Sequence, residues 1–367
     1  MSFSEESIFQ IALTQIPNIG SVQARILVET LGTATNIFRA TKKELSAIEG
    51  IGSVRADNIK KFSDFTLAEE EILFCQKHHI CPLFLTDEAY PKRLANCYDA
   101  PTVLYYRGNA NLNAPRIISI IGTRNLTDYG KQQTEQIIAE LQSIAPLIVS
   151  GLAFGIDAVA HKTSVQQQLP TVGVLAHGLD TLYPSQHKNL AKDMLLNGGL
   201  LTEFGKNSPP DRHNFPRRNR IVAGIADAVI VVETAAKGGS MITAEIAYSY
   251  NKDVFAVPGK LTDSKSAGCL KLIHQQKATI FTSVSQMLDA MGWQLKKTVP
   301  KMQRELFVVL TPDEQTIVGI LQAKDTVSID EIYLQSGLSS SSVAAAILSL
   351  ELQNMIIGLP GKMFRLL

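Results

Sequence analysis

Four arginines and one acid crowd into ten residues at Asp211-Arg-His-Asn-Phe-Pro-Arg-Arg-Asn-Arg220, with Phe215 and Pro216 between them, just ahead of an apolar helix. Each guanidinium offers several donors in a planar fork that suits phosphate oxygens, and an interleaved aromatic gives a base a face to stack on. A solvated charged turn is the plain alternative, although lysine and glutamate are commoner there. Three other segments offer related chemistry. Gly122-Thr-Arg-Asn125 joins a glycine for close backbone approach, a hydroxyl and the cation Arg124. Ser150-Gly-Leu-Ala-Phe-Gly-Ile-Asp157 frees amides at two glycines and places Asp157 to cap a following helix, or is simply a tight strand-to-helix turn. Glu233-Thr-Ala-Ala-Lys-Gly-Gly-Ser240 ends on a glycine pair at a helix start, where exposed amides and Lys237 form a second anion cradle. Pro258-Gly-Lys260 adds one more cation.

Catalytic signatures are missing. The sequence has no GxSxG, no HExxH, no Cys/His pair of recognisable spacing and no GxxxxGK[ST], so nucleoside triphosphate hydrolysis has no support. Asp157 and His161, four apart, share a helix face and invite a metal reading, but no third ligand lies near in sequence and a structural pair is expected. The expectation is a phosphate-binding rim without reaction, cofactor or metal.

These segments need a scaffold that brings them together. Ile117–Ile121, Leu147–Ser150, Thr171–Leu175, Leu200–Thr202, Ala228–Val232 and Val254–Val257 are apolar at consecutive rather than alternate positions and are separated by helical stretches. Such runs predict strands covered on both faces, hence a doubly wound, mostly parallel α/β sheet whose ligands bind at the carboxyl ends of the strands. All four segments follow such strands. The stretch from Tyr90 to Gly108 is expected to add an edge to this sheet.

From Ser7 to about Phe74 the periodicity is helical, broken at Ile16-Pro-Asn-Ile-Gly20 and Ile48-Glu-Gly-Ile-Gly52, which predicts two short helical hairpins. After Pro312 come a helix, a second from Asp330, a turn at Ser336-Gly-Leu338, a third from Ser339 to Asn354, and a two-stranded wing around Pro360-Gly361. That order predicts a winged-helix domain. The expected limits are 1–75 for the helical domain, 76–290 for the sheet domain, 291–307 for a linker and 308–367 for the winged helix.

Composition sets bounds. The chain has 367 residues, 45% of them hydrophobic, with 35 Lys+Arg against 34 Asp+Glu and a formal charge of +1. It is an ordinary globular protein with no global field to attract a polyanion, so any nucleic-acid site is a local patch. Cys75, Cys81, Cys97 and Cys269 show no framework spacing, which fits a reducing compartment and a cytoplasmic location. No leader and no apolar stretch of spanning length is evident, so no membrane partner is expected.

Taken in order, Tyr90-Pro through Leu94, Pro101 through Asn109, Ile121-Gly-Thr-Arg124, Ser150-Gly-Leu-Ala with Gly155-Ile-Asp157 and Ala160-His161, Phe215-Pro-Arg-Arg-Asn-Arg220, Gly239-Ser240 with Thr243-Ala244, and Val257-Pro-Gly259 resemble the DNA-processing protein A (DprA/Smf) family. The resemblance covers about Tyr90 to Ile280. It implies a Rossmann-like sheet domain flanked by helix-hairpin-helix (SAM-like) and winged-helix accessories. It also implies a cytoplasmic homodimer that binds single-stranded DNA without sequence preference and loads RecA recombinase during natural transformation and recombination. Carried over, the DNA pocket falls on Gly122, Thr123 and Arg124, on Ser150 and Gly151, on Phe215, Arg217, Arg218, Asn219 and Arg220, and on Gly238, Gly239 and Ser240. Lys237 and Lys260 stand on the same predicted rim. Two positions depart from the family: Phe154 stands where arginine is common, and Ala236-Lys-Gly-Gly239 replaces a more usual Ser-Gly pairing.

The flanks carry weaker signals. Residues 16–62 hold seven Lys/Arg against four Asp/Glu, so their glycine turns offer either a non-specific DNA contact or mere packing. Residues 312–367 hold six acids and three bases, a net of −3, and the third helix has no cation, which predicts a protein-contact module. The competing function is a nucleotide hydrolase, because Glu233 and Glu245 around a glycine-rich turn are similar to phosphoribohydrolases of the lysine-decarboxylase-like superfamily.

Overall fold

The computed structural model describes residues 4–293 and 310–366, apart from 325, 354 and 360. The chain forms two compact units, Met1–Leu295 and Lys296–Leu367. The first opens with six helices: α1 (Glu5–Leu13), α2 (Ser21–Leu31), α3 (Ala34–Arg39), α4 (Lys42–Ala47), α5 (Gly52–Lys61) and α6 (Thr66–Lys77). Ser4, Thr33 and Thr41 start three of them by accepting from the backbone amide three residues on. The two expected hairpin turns join α1 to α2 and α4 to α5, and Asn18, Gly50 and Gly52 take the positive φ angles those turns need. Leu27, Ile37, Leu45 and Ile59 form a core that continues onto Phe84, Val103 and Tyr105 of the sheet. The helical front and the sheet thus share one unit, and residue 75 lies inside α6 rather than after it.

Nine strands follow: β1 (Cys81–Phe84), β2 (Val103–Gly108), β3 (Ile117–Ile121), β4 (Leu147–Ser150), β5 (Thr171–Val174), β6 (Gly198–Thr202), β7 (Ala228–Val231), β8 (Asp253–Ala256) and β9 (Thr279–Ile280). Their order is β1-β2-β6-β5-β4-β3-β7-β8-β9, parallel from β6 to β9, with β1 and β2 added antiparallel as the expected edge. Helices α7 (Lys92–Ala95), α8 (Asp128–Leu141), α9 (Ile156–Gln166), α10 (Lys188–Met194), α11 (Asn214–Ile225), α12 (Gly239–Ser249), α13 (Ala267–His274) and α14 (Val284–Ala290) connect and cover them. The unbroken apolar runs have a simple cause. On β3, Ile117 and Ile121 enter the core on one face while Ile118 and Ile120 enter the core on the other. The chain winds outward from β3 through β4 and β5 to β6, then returns to β7 on the far side of β3. The winding direction therefore reverses between β3 and β7, where a doubly wound sheet opens a crevice.

The second unit contains α15 (Pro312–Gln322), β10 (Val327–Ser328), α16 (Ile329–Ser336), α17 (Ser340–Leu352), β11 (Ile356–Leu359) and β12 (Met363–Leu366). Thr311, Ser328 and Ser339 cap its three helices, and its sheet runs β10-β12-β11. This is the winged-helix arrangement, with β10 a strand too short for the sequence to signal. Residues 294–309, most of the expected linker, and Pro360 of the expected wing lie outside the described residues. Among the described residues no helix is long and apolar enough to cross a membrane.

Candidate functional site

The loops after β3, β4 and β7 meet at the winding reversal and surround a cleft of about 470 Å³. Backbone contacts fix them. The Thr123 amide donates to the carbonyl of Glu233 at 2.7 Å, and the Ile156 amide donates to the carbonyl of Thr123 at 3.1 Å, so each loop holds the next. Glycine is required where they touch. Gly155 has φ +80° and a Cβ there would lie 2.1 Å from the Thr123 carbonyl oxygen, while a Cβ on Gly122 would lie 2.4 Å from Ile156. At the third loop Gly238 caps α12, and Ser240 donates its hydroxyl to Thr234 at 2.7 Å.

The arginine-rich segment differs from expectation: residues 214–220 form the first turns of α11, and only residues 211–213 lie in the turn ahead of it. Helical geometry then sorts its side chains, because residues three, four and seven apart share a face. Phe215, Arg218, Asn219 and Val222 line the cleft, with Arg212 at its edge. Arg217 and Arg220 point away from it. Arg220 bonds Glu203 Oε2 and the Asp99 carbonyl, both at 2.5 Å, and reaches the Ser21 hydroxyl at 3.2 Å, while Arg217 meets Glu203 at 3.2 Å and lies over the Phe204 ring. Of the fifteen residues singled out in the sequence, the cleft gathers Gly122, Thr123, Arg124, Gly151, Phe215, Arg218, Asn219, Gly238, Gly239 and Ser240. It leaves out Arg217, Arg220 and Ser150, the last buried with its hydroxyl donated to the Ile120 carbonyl at 2.6 Å. Lys237 and Lys260 are exposed on the loops after β7 and β8, outside the lining.

Arg218 is the electrostatic centre. It is 4% exposed, donates through Nη1 to the carbonyls of Gly151 and Val174, and keeps an Nε with no hydrogen-bond partner. Burial lowers its pKa to about 10, opposed by Asp157, so it stays cationic at neutral pH. Arg124 is exposed, its guanidinium 5.0 Å from the Phe215 ring centre. Asp157 is the single carboxylate in the lining, and burial raises its pKa against the pull of Arg218. It accepts from the Gly151 amide at 3.1 Å, whereas Gly155 occupies the cap of α9, so the expected capping role falls to backbone geometry instead. A buried arginine beside an exposed one, framed by glycine-lined loops, is equipped to hold an anion.

Asp157 and His161 do not act as a pair. His161 is fully buried against the Thr171 hydroxyl at 2.7 Å, and burial holds its imidazole down to about 3. Among the described residues no group of three or more His, Cys, Asp or Glu is placed to hold a metal ion. The carboxylates that a hydrolase would need are committed elsewhere: Glu233 accepts from the amide and hydroxyl of Thr127 at the start of α8, and Glu245 pairs with Lys277 at 3.4 Å. The sequence reading missed Arg212, Thr234 and Thr243 as lining residues. Arg212 lies within the arginine cluster, and Thr234 and Thr243 lie in and just after the 233–240 cradle, where Lys237, the glycines and Ser240 carry the anion-binding signal.

Fold and cleft together define a doubly wound α/β protein with an arginine- and glycine-lined crevice at its winding reversal. Residues 82–292 match the DNA recombination-mediator protein A family, residues 308–362 its winged-helix domain, and residues 10–62 a SAM-like helix-hairpin-helix tandem. Protein Smf of Synechocystis is 31% identical over 99% of both chains. DNA processing protein A of Streptococcus pneumoniae superposes with a TM-score of 0.65 at 30% identity, covering 79% of this chain and 98% of that one. The Helicobacter pylori protein, whose structure concerns its single-stranded DNA binding mode, superposes at 0.53 and 30% identity over 58% of this chain and 95% of its own. The chain belongs to the DNA recombination-mediator protein A (DprA/Smf) family.

Proposed function

We propose that this protein binds single-stranded DNA without sequence preference, holding backbone phosphates in the cleft between the loops after β3, β4 and β7. The observation that carries this reading is the meeting of two guanidiniums, exposed Arg124 and buried Arg218, with glycine-rich loops in the lining of one cleft. The Helicobacter relative's single-strand binding supports it. Phosphate contact by glycine amides and arginine is indifferent to sequence, and Phe215 adds a base-stacking face available only when bases are unpaired. Cytoplasmic location, homodimerisation, and delivery of the strand to RecA in transformation and recombination complete the proposal on the strength of the family likeness.

Anisotropy of a labelled single-stranded oligonucleotide across a salt series tests the binding. The expected result is salt-dependent binding that duplex of the same sequence does not displace. Arg124→Ala should weaken it about tenfold and shallow the log–log salt slope by about one. Unchanged affinity in Arg124→Ala would overturn the cleft assignment.

A further inference from the structure

We propose that the aromatic shelf beside the cleft, formed by Phe154 and Tyr183, is a nucleobase-stacking subsite for the strand whose phosphates the cleft holds. This rests on the single-strand reading above. Both rings are large and half in water, at 42% and 47% exposure. Both are also held in place. Phe154 lies between Leu152 at φ +52° and Gly155 at φ +80°, on a loop clamped to Thr123 by the Ile156 amide. His187 donates from Nδ1 to the Leu152 carbonyl at 2.9 Å and meets the Phe154 ring edge-on, 5.0 Å between centres at 68°. The Tyr183 amide donates to Nε2 of buried His177 at 3.1 Å, and its ring lies 6.3 Å from that of Phe215.

The shelf is continuous with the cleft. Arg124, Gly151, Phe215 and Arg218 line both the cleft and the recess that Phe154 and Tyr183 border. That recess measures about 20 Å³, too small to admit a base, so bases must lie across the rings rather than between them. Exposed aromatic faces on a fixed backbone next to a cationic groove are what single-strand recognition requires, since every base has a π face and duplex hides it. Phe154 and Tyr183 thus border the same recess as Phe215, the Tyr183 ring tilted 59° to it, and add two separate rings on which bases can lie.

The test compares a thymidine oligonucleotide with an abasic oligonucleotide of equal length, by anisotropy across salt. Phe154→Ala and Tyr183→Ala should each weaken binding of the thymidine strand about 5- to 100-fold, with the salt slope and abasic binding unchanged. Phe154→Arg should exchange the stack for a phosphate contact, steepening the slope by about one on both strands. Alanine variants that bind thymidine within twofold of the parent, or that lose equally on both strands, would overturn the subsite. Arg124→Ala separates the two readings. If it weakens both strands while the aromatic variants are silent, the cleft stands and the shelf falls. If the parent binds neither strand, both fall.

Discussion

At the residue scale, the closest contacts in the cleft make glycine a specific reagent. A methyl on Gly151 would lie 2.0 Å from Nη1 of Arg218, a guanidinium already hemmed in by two carbonyls, so Gly151→Ala should displace the arginine and weaken oligonucleotide binding about as much as Arg218→Ala. Gly239 is the opposite case. Nothing lies within 4 Å of its Cβ direction and it opens α12, so Gly239→Ala should leave stability unchanged or raise it by up to ~1 kcal/mol. Binding isotherms and urea unfolding of the two variants check this, and equal behaviour of the two would contradict it. His161 gives a pH signature. The folded chain keeps it neutral down to about 3, whereas its unperturbed value is 6.5, so between those values the unfolded chain takes a proton that the folded one refuses. Stability is therefore lost as pH falls through that window, by about 1.4 kcal/mol per unit. Between pH 6.5 and 5, the parent should lose about 2 kcal/mol more than His161→Gln in urea unfolding, and parallel losses would refute the assignment.

At the element scale, α11 divides its arginines by periodicity, and the division predicts separate phenotypes. Arg220 neutralises Glu203, whose side chain is 4% exposed, and ties it to Asp99 and Ser21. Arg220→Ala would leave that buried carboxylate with only the longer contact to Arg217 and should cost about 3 kcal/mol in unfolding free energy, while Arg217→Ala, 57% exposed, should cost under ~1 kcal/mol. Neither should weaken oligonucleotide binding tenfold under conditions where the chain is folded, as Arg124→Ala should. A tenfold loss in folded Arg220→Ala would mean that the far face of α11 also meets DNA. This helix also marks the limit of what sequence reveals. The runs that became β3 to β8 were legible because burial on both faces leaves no polar alternation, and the hairpin turns and winged helix were legible through glycine spacing and hydroxyl caps. Where α11 begins was not. The cluster is polar, carries a proline and has no side-chain cap hydrogen bond, so its helical period was hidden and Arg217, Arg218 and Arg220 read alike as one rim. The 3-, 4- and 7-spacing of Phe215, Arg218, Asn219 and Val222 was the available signal. Likewise, Thr234 and Thr243 enter the cleft only because β7 lies beside β3, a neighbour relation that local pattern does not encode.

At the scale of the whole molecule, the cationic charge is local, and the two units differ in how much of it they carry. The chain carries only +1 overall, yet the cleft sets Arg124, Arg212 and Arg218 against Asp157 alone. The winding reversal creates this concentration, bringing loops more than a hundred residues apart to one crevice where their amides and cations add. Among the described residues the winged helix has no comparable cluster: residues 312–367 carry −3, and α17, the helix placed to enter a groove in a winged-helix reader, has no lysine or arginine. A chain ending at residue 311 would therefore rise from +1 to +4 while keeping every cleft residue. If the second unit contacts protein rather than DNA, that shortened chain should match the parent in salt slope and bind single-stranded oligonucleotide within about threefold, any difference being tighter and confined to low salt. A slope shallower by one or more would place phosphate contacts in the tail and assign it a share of the strand.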